Sequence, residues 1–180
     1  NSSTDNNINV SVAGTYRVTA TDINGCSNTA TTTISVYSLP TIRINGRQEF
    51  CQGSTNMLTA TGASSYEWSS GELTSSITTG IVGTYTVTGT STHGCTATGS
   101  IQIYNSQISA TIAGNRAFCQ GGSTTLSVAN ASAYTYTYRW FDGSTTNSVS
   151  VSAAGQYTVT VTNALGCTST ITANVTTYSL

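Results

Sequence analysis

One phrase occurs three times in this chain, each time closed by a cysteine. Gly14-Thr15-Tyr16-Arg17-Val18 runs to Gly25-Cys26, Gly83-Thr84-Tyr85-Thr86-Val87 to Gly94-Cys95, and Gly155-Gln156-Tyr157-Thr158-Val159 to Gly166-Cys167, with ten residues from Tyr to Cys in every copy. A second phrase precedes two of the three: Phe50-Cys51-Gln52-Gly53 with Leu58 and Ala60, and Phe118-Cys119-Gln120-Gly121 with Leu126 and Val128. Trp68 and Trp140 fall between the phrases in the same order, so the period is 68 to 72 residues. Self-similarity at a fixed period means one supersecondary unit built several times in series.

Within each repeat the apolar residues alternate with polar ones. Ile8, Val10 and Val12 lead to Tyr16 and Val18; Val149, Val151 and Ala153 lead to Tyr157, Val159 and Val161. Period two with β-branched residues predicts half-buried strands, and no segment has a helical period. Asn24-Gly25 and His93-Gly94 read as hairpin turns just before the cysteine. About seven short strands per repeat predict an all-β fold of tandem immunoglobulin-like β-sandwiches. In that frame residues 58–60 belong to strand B, Trp68 to C, residues 77–81 to E, 85–87 to F and 96–104 to G. The expected core is Leu58, Trp68, Tyr85 and Val87 in the second repeat, Leu126, Trp140, Tyr157 and Val159 in the third, and Tyr16 in the first.

The expected domains are 1–38, 39–105 and 106–180. The first holds only the counterparts of strands E, F and G, and three strands cannot bury their apolar face. Either further chain precedes Asn1 or strands of another molecule complete the sandwich. Links of two to four residues around Ser38 to Pro40 and Asn105 to Gln107 carry no Gly/Ser tract. Short links resist bending, which predicts an extended rod.

Five cysteines at fixed repeat positions argue for disulfides and an oxidising, extracellular setting. Pairing within each repeat would join Cys51 to Cys95 and Cys119 to Cys167. Strands B and F run the same way, however, with Cys51 ahead of B and Cys95 beyond F. That puts the sulfurs roughly 40 to 50 Å apart along straight strands at about 3.3 Å per residue, whereas a disulfide needs Cα atoms within about 7 Å. In a head-to-tail array the start of one strand B meets the F–G turn of the next domain, which favours Cys51–Cys167. Cys26, Cys95 and Cys119 are then unpaired within the chain. Metal ligation competes weakly, since no Cys-x-x-Cys pair occurs and His93 has no counterpart in the other repeats.

The remaining residues offer little chemistry. Charged residues are 6% of the chain against a usual figure of about 25%, and the net charge of -1 leaves no basic patch for nucleic acid or an anionic membrane. No run of apolar residues is long enough to span a bilayer. The chain has no Lys, which removes P-loop, Schiff-base and Lys-Asn isopeptide chemistry. His93 lies in a turn with no acidic neighbour, and Asp5, Asp22, Glu49, Glu67, Glu72 and Asp142 never pair at equivalent positions, so neither a Ser-His-Asp set nor a glycosidase carboxylate pair is expected. Asp22 with Asn24 reads as turn chemistry rather than a calcium site. No cofactor and no catalysis are expected. Sequons at Asn1, Asn9, Asn130 and Asn174 matter only if the host glycosylates Asn. Tyr134, Tyr136, Tyr138 and Trp140 alternate on a longer B–C segment; they form a ligand patch for glycan or protein, extend the core, or pad the junction with the preceding domain.

The quoted phrases resemble the immunoglobulin-like and PKD-like repeats of very large Bacteroidota surface proteins, exported by the type-nine secretion system and including gliding adhesins. The resemblance implies a cell-surface location, a stalk or adhesin role with neighbouring repeats as partners, and no catalytic residues. One departure is that Ala60 and Val87, or Val128 and Val159, occupy the positions where common immunoglobulin domains bury a disulfide. The alternatives are a glycan-binding module, for which the tyrosines are the discriminating feature, and a filament subunit completed by strand donation in trans.

Overall fold

The computed structural model describes residues 4–130 and 135–179, all in strands, turns and extended segments. The first repeat forms β1 (Gly14–Thr21) and β2 (Ser27–Ile34), an antiparallel hairpin with Gly14 opposite Ile34 and Thr21 opposite Ser27. The second forms β3 (Arg43–Asn45), β4 (Glu49–Cys51), β5 (Asn56–Thr61), β6 (Ser65–Trp68), β7 (Ser76–Thr79), β8 (Gly83–Thr90) and β9 (Thr96–Ser106). The third follows the same plan with β10 (Ala110–Ala113), β11 (Ala117–Cys119), β12 (Thr124–Asn130), β13 (Tyr136–Trp140), β14 (Ser148–Val151), β15 (Gly155–Asn163) and β16 (Thr168–Tyr178).

Each complete repeat is a sandwich of a three-stranded and a four-stranded sheet: β3-β5-β7 on β4-β9-β8-β6, and β10-β12-β14 on β11-β16-β15-β13. In strand letters this is A-B-E against A′-G-F-C, an immunoglobulin-like plan. The first strand divides between the layers. β3 pairs antiparallel with β5, and after a short break β4 pairs parallel with the end of β9. Sequence periodicity gives no sign of this division, because each piece is three residues long.

The alternating pattern decides which side chains meet between the layers. Leu58, Ala60, Trp68, Ile77, Val87 and Ile103 close one core; Leu126, Val128, Trp140, Val149, Tyr157, Val159 and Val161 are among those that close the other. The two indoles are held alike, Nε1 of Trp68 donating to the Thr74 carbonyl and Nε1 of Trp140 to the Thr146 carbonyl, each at 2.9 Å. A buried indole N–H needs such an acceptor.

The first repeat departs from expectation. Residues 8–12, expected as strand E, form no strand. In the complete repeats that strand is held by strand B, β7 by β5 and β14 by β12, and among the described residues no strand B stands beside residues 8–12. Tyr16, expected in a core, is half-exposed. Val18 is 62% exposed, whereas its counterparts Val87 and Val159 are fully buried.

One packing detail separates the two cores. A Cβ on Gly89 would lie 2.2 Å from Cδ1 of Ile42, and one on Gly99 would lie 2.9 Å from its Cγ2. The two glycines leave the space that Ile42 fills. In the third repeat the corresponding residues are Val161 and Ile171, and Ile42 is replaced by Ala110, as the pairings of Ile44 with Ala60 and of Ile112 with Val128 establish. Bulk stands on the side of the first strand in one sandwich and on strands F and G in the other. Gly89→Val should therefore destabilise the second sandwich by about 1–3 kcal/mol through overpacking. Adding Ile42→Ala should recover much of that loss, short of all of it because Ala63 Cβ lies 2.8 Å from the new Cβ. Hydrogen exchange of the β5 and β8 amides measures both; a double variant no more stable than Gly89→Val would refute the complementarity.

Candidate functional site at the junction between sandwiches

The strands of the two sandwiches run on almost without a break, with only residues 107–109 between β9 and β10. Here the structure joins Cys51 to Cys167, with an S–S distance of 2.13 Å and Cα atoms 5.2 Å apart. Each cysteine is delivered by a short, well-tied piece of backbone. Cys51 ends β4, opposite Ser106 in the parallel pairing with β9. Cys167 closes the turn between β15 and β16 and is buried.

That turn has the same build in all three repeats. Four residues before the cysteine stands a residue whose side-chain oxygen accepts hydrogen bonds from the backbone. Asp22 Oδ1 accepts from the amides of Asn24 (2.9 Å) and Cys26 (2.8 Å). Ser91 Oγ accepts from His93 (3.3 Å) and Cys95 (3.2 Å), and Asn163 Oδ1 from Leu165 (3.0 Å) and Cys167 (2.9 Å). The glycine before each cysteine has φ of 86°, 82° and 82° at Gly25, Gly94 and Gly166, a left-handed conformation that favours glycine. Sequence reading took Asn24-Gly25 and His93-Gly94 as the turn signal and Asp22 as turn chemistry, as found, but missed that Ser91 and Asn163 play the same part, because the residue differs in every copy.

Asn163 does a second thing. Its Nδ2 donates to Oγ of Ser106 at 3.0 Å, a buried bond between residues 57 positions apart. Both residues are buried, and the bond lies beside the disulfide. Gln107 Nε2 reaches Gln52 Oε1 at 3.4 Å on the exposed side. A covalent bond and a buried polar bond thus tie the end of one sandwich to the F–G turn of the next.

Cys26 and Cys119 are exposed free thiols and Cys95 is a half-buried one. His93 is an exposed turn residue, as expected, and stacks on Tyr37 with ring centroids 3.6 Å apart. Among the described residues no group of three or more His, Cys, Asp or Glu could hold a metal ion. The aromatic patch divides. Tyr134 lies outside the described residues, Tyr136 is buried in the third repeat's core and Tyr138 packs against it. The alternation of Tyr136, Tyr138 and Trp140 therefore marks the core face of β13, and of the two readings left open Tyr136 and Tyr138 follow core packing rather than a ligand surface.

The repeated tyrosines have a role that sequence reading missed. Tyr16, Tyr85 and Tyr157 each donate the phenol hydroxyl to a carbonyl four residues back, at Val12 (2.8 Å), Ile81 (3.0 Å) and Ala153 (2.7 Å). This is a tyrosine corner, pinning the approach to strand F at its first turn.

No protein-family model matches the chain, and no characterised protein sequence matches it. Solved structures similar to it include murine CEACAM1b, with a TM-score of 0.37 and 10% identity over 77% of this chain and 100% of that one. A β-glycosidase from Bacteroides vulgatus scores 0.29 at 11% identity, over 77% of this chain and 25% of the enzyme. The Yersinia pseudotuberculosis adhesin InvE scores 0.27 at 13% identity, over 74% and 58%. The chain therefore spans a quarter of the glycosidase and little over half of InvE, and no activity or partner is carried over from any of the three. What the chain itself shows is two immunoglobulin-like sandwiches joined by a disulfide at their junction.

In a non-reduced digest a single linked peptide should contain Cys51 and Cys167; a peptide linking Cys51 to Cys95 would overturn the junction. Tyr157→Phe should destabilise the third sandwich by about 1 kcal/mol through loss of one hydrogen bond, measured by urea denaturation, and an unchanged midpoint would deny the corner its role.

Proposed function

We propose that this chain is a load-bearing spacer of an extracellular surface protein, a row of immunoglobulin-like sandwiches whose junctions are locked by disulfides. The observation that carries the reading is the Cys51–Cys167 bond, made between sandwiches rather than inside one. A disulfide inside a sandwich strengthens that sandwich; one between neighbours fixes how they are joined. Two covalent paths then cross the junction, the backbone at residues 107–109 and the sulfur bridge beside it. The buried bond from Asn163 to Ser106 adds a polar tie that favours one orientation.

The setting follows from the chemistry. Disulfides persist in oxidising compartments, and a surface built of Thr and Ser, 63 of 180 residues, with only 6% charge, is suited to a passive exposed stalk. The repeat phrases support placing the stalk in a large Bacteroidota surface protein exported by the type-nine system, with neighbouring repeats as its immediate partners. In this reading the chain performs no catalysis and displays a tip carried elsewhere on the polypeptide.

Pulling on the two ends tests it directly. The bridge closes a loop with a sequence separation of 116, so residues inside that loop are bypassed when tension passes through the sulfurs. In single-molecule stretching, reduction should add about 400 Å of contour length, 116 residues at roughly 3.5 Å each. Equal extension with and without reductant would sink the proposal.

A further inference from the structure

The carboxamide of Asn163 stands between the two halves of the junction. On one side it holds Cys167: Oδ1 accepts from the Cys167 amide at 2.9 Å and from the Leu165 amide at 3.0 Å, while the Asn163 amide donates to the Cys167 carbonyl at 3.0 Å. Two backbone donors can be met only by the oxygen of the carboxamide, so its nitrogen is left for another partner. That partner is Ser106, whose Oγ accepts from Nδ2 at 3.0 Å. Ser106 lies directly opposite Cys51 in the parallel pairing of β4 with β9. One side chain therefore links the backbone that carries one sulfur to the strand beside the other.

Cys51 is restrained as well. Its carbonyl accepts from the Ser54 amide at 3.0 Å and from the Ser54 hydroxyl at 2.7 Å, which closes the turn after β4. Asn163 and Ser106 are each only 8% exposed. Were the turn of the third repeat to settle in a neighbouring register, two buried polar groups would lose their partners, and leaving such groups unpaired costs more than the bond itself contributes.

From this we propose that Asn163 is the positioning residue of the bridge. Its bond to Ser106 seats the F–G turn where the Cys167 thiol meets that of Cys51, so the encounter of two residues 116 positions apart is prepared before any sulfur bond forms. Asn163 thereby raises the effective concentration of one thiol at the other. Oxidation removes two protons and two electrons from the pair. A disulfide oxidant such as glutathione disulfide takes them up, its S–S bond breaking to give two thiols, through a mixed disulfide with one of the two cysteines. The same contact opposes reduction, because a thiol freed at Cys167 stays beside Cys51 and closes the bond again.

The inference rests on the junction being joined through Cys51 and Cys167, and one set of measurements separates the two. The whole chain is equilibrated in buffers of reduced and oxidised glutathione, free thiols are blocked, and the fraction of linked Cys51–Cys167 peptide gives the equilibrium constant of the bridge. Asn163→Ser keeps an acceptor for the turn, as Ser91 does in the second repeat, but is too short to reach Ser106. Ser106→Ala leaves the bonds within the turn in place and removes the acceptor across the junction. Each should lower the constant about tenfold, the effect of losing one buried hydrogen bond and leaving its partner unpaired. The double variant should lose no more than either single one, because both act through the same bond. Ser106→Thr, which retains the hydroxyl, should stay close to the unaltered chain. Single variants that match the unaltered chain, losses that multiply in the double variant, or a loss in Ser106→Thr equal to that in Ser106→Ala would each overturn the role of Asn163 while the bridge itself stands. Absence of the linked peptide from the unaltered chain would instead overturn the junction, and the inference with it.

Discussion

A β-hairpin with period-two sequence has one apolar face, and that face lowers the free energy only when a second layer covers it. The three copies of the Gly-x-Tyr-x-Val phrase place the same kind of hairpin in two circumstances. Under a covering sheet, Val87 and Val159 lose all contact with solvent; without one, Val18 keeps more than half of its surface. At about 25 cal/mol per Å² of apolar area, covering is what offsets the ordering of roughly 70-residue units with small cores. Residues 8–12 are likewise in no strand, and among the described residues no second layer lies over β1 and β2. Local pattern proposes strands, and the opposing sheet decides which of them exist.

The junction extends that dependence from one sandwich to the next. The first strand is split so that β4 leaves the A–B–E layer and lies beside the end of β9, carrying Cys51 to the rim. The neighbouring F–G turn brings Cys167 to the same rim. The residue that shapes the turn sets how much else the junction gains. An ionised Asp accepts only and a Ser hydroxyl has one donor, but an Asn amide accepts through Oδ1 and donates through Nδ2 together. Asn163 uses both ends, holding its own turn and reaching Ser106.

Much of this was legible in the chain. Alternation around Leu58, Val87, Leu126 and Val159 identifies the inward positions, and the Trp residues fall where each core needs bulk. The relation of Cys51 to Cys167 is readable because it depends only on repeat phase and strand direction. Other parts were not. β4 and β11 are too short to show a period, so the parallel pairing that positions Cys51 has no local signal. The tyrosine hydroxyl bonds at Val12, Ile81 and Ala153 depend on backbone shape four residues upstream. Tyr136 and Tyr138 left a ligand face and core packing both open, because alternating aromatics look the same whichever way they face; in the structure they face inward.

The exchange of bulk between Ile42 with two glycines and Ala110 with Val161 and Ile171 bears on how such a polypeptide reaches its native state. Adjacent repeats are similar enough for a leading strand of one to try the neighbour's sheet, a known route to misfolded multidomain chains. Were the segment at Ile42 to enter the third sandwich, it would collide with the two larger side chains. The segment at Ala110, entering the second, would leave the glycine-lined hollow unfilled. Size complementarity thus works as an address, discriminating against the wrong neighbour as well as favouring the right one, and it lets building blocks of the same plan follow one another without trading parts.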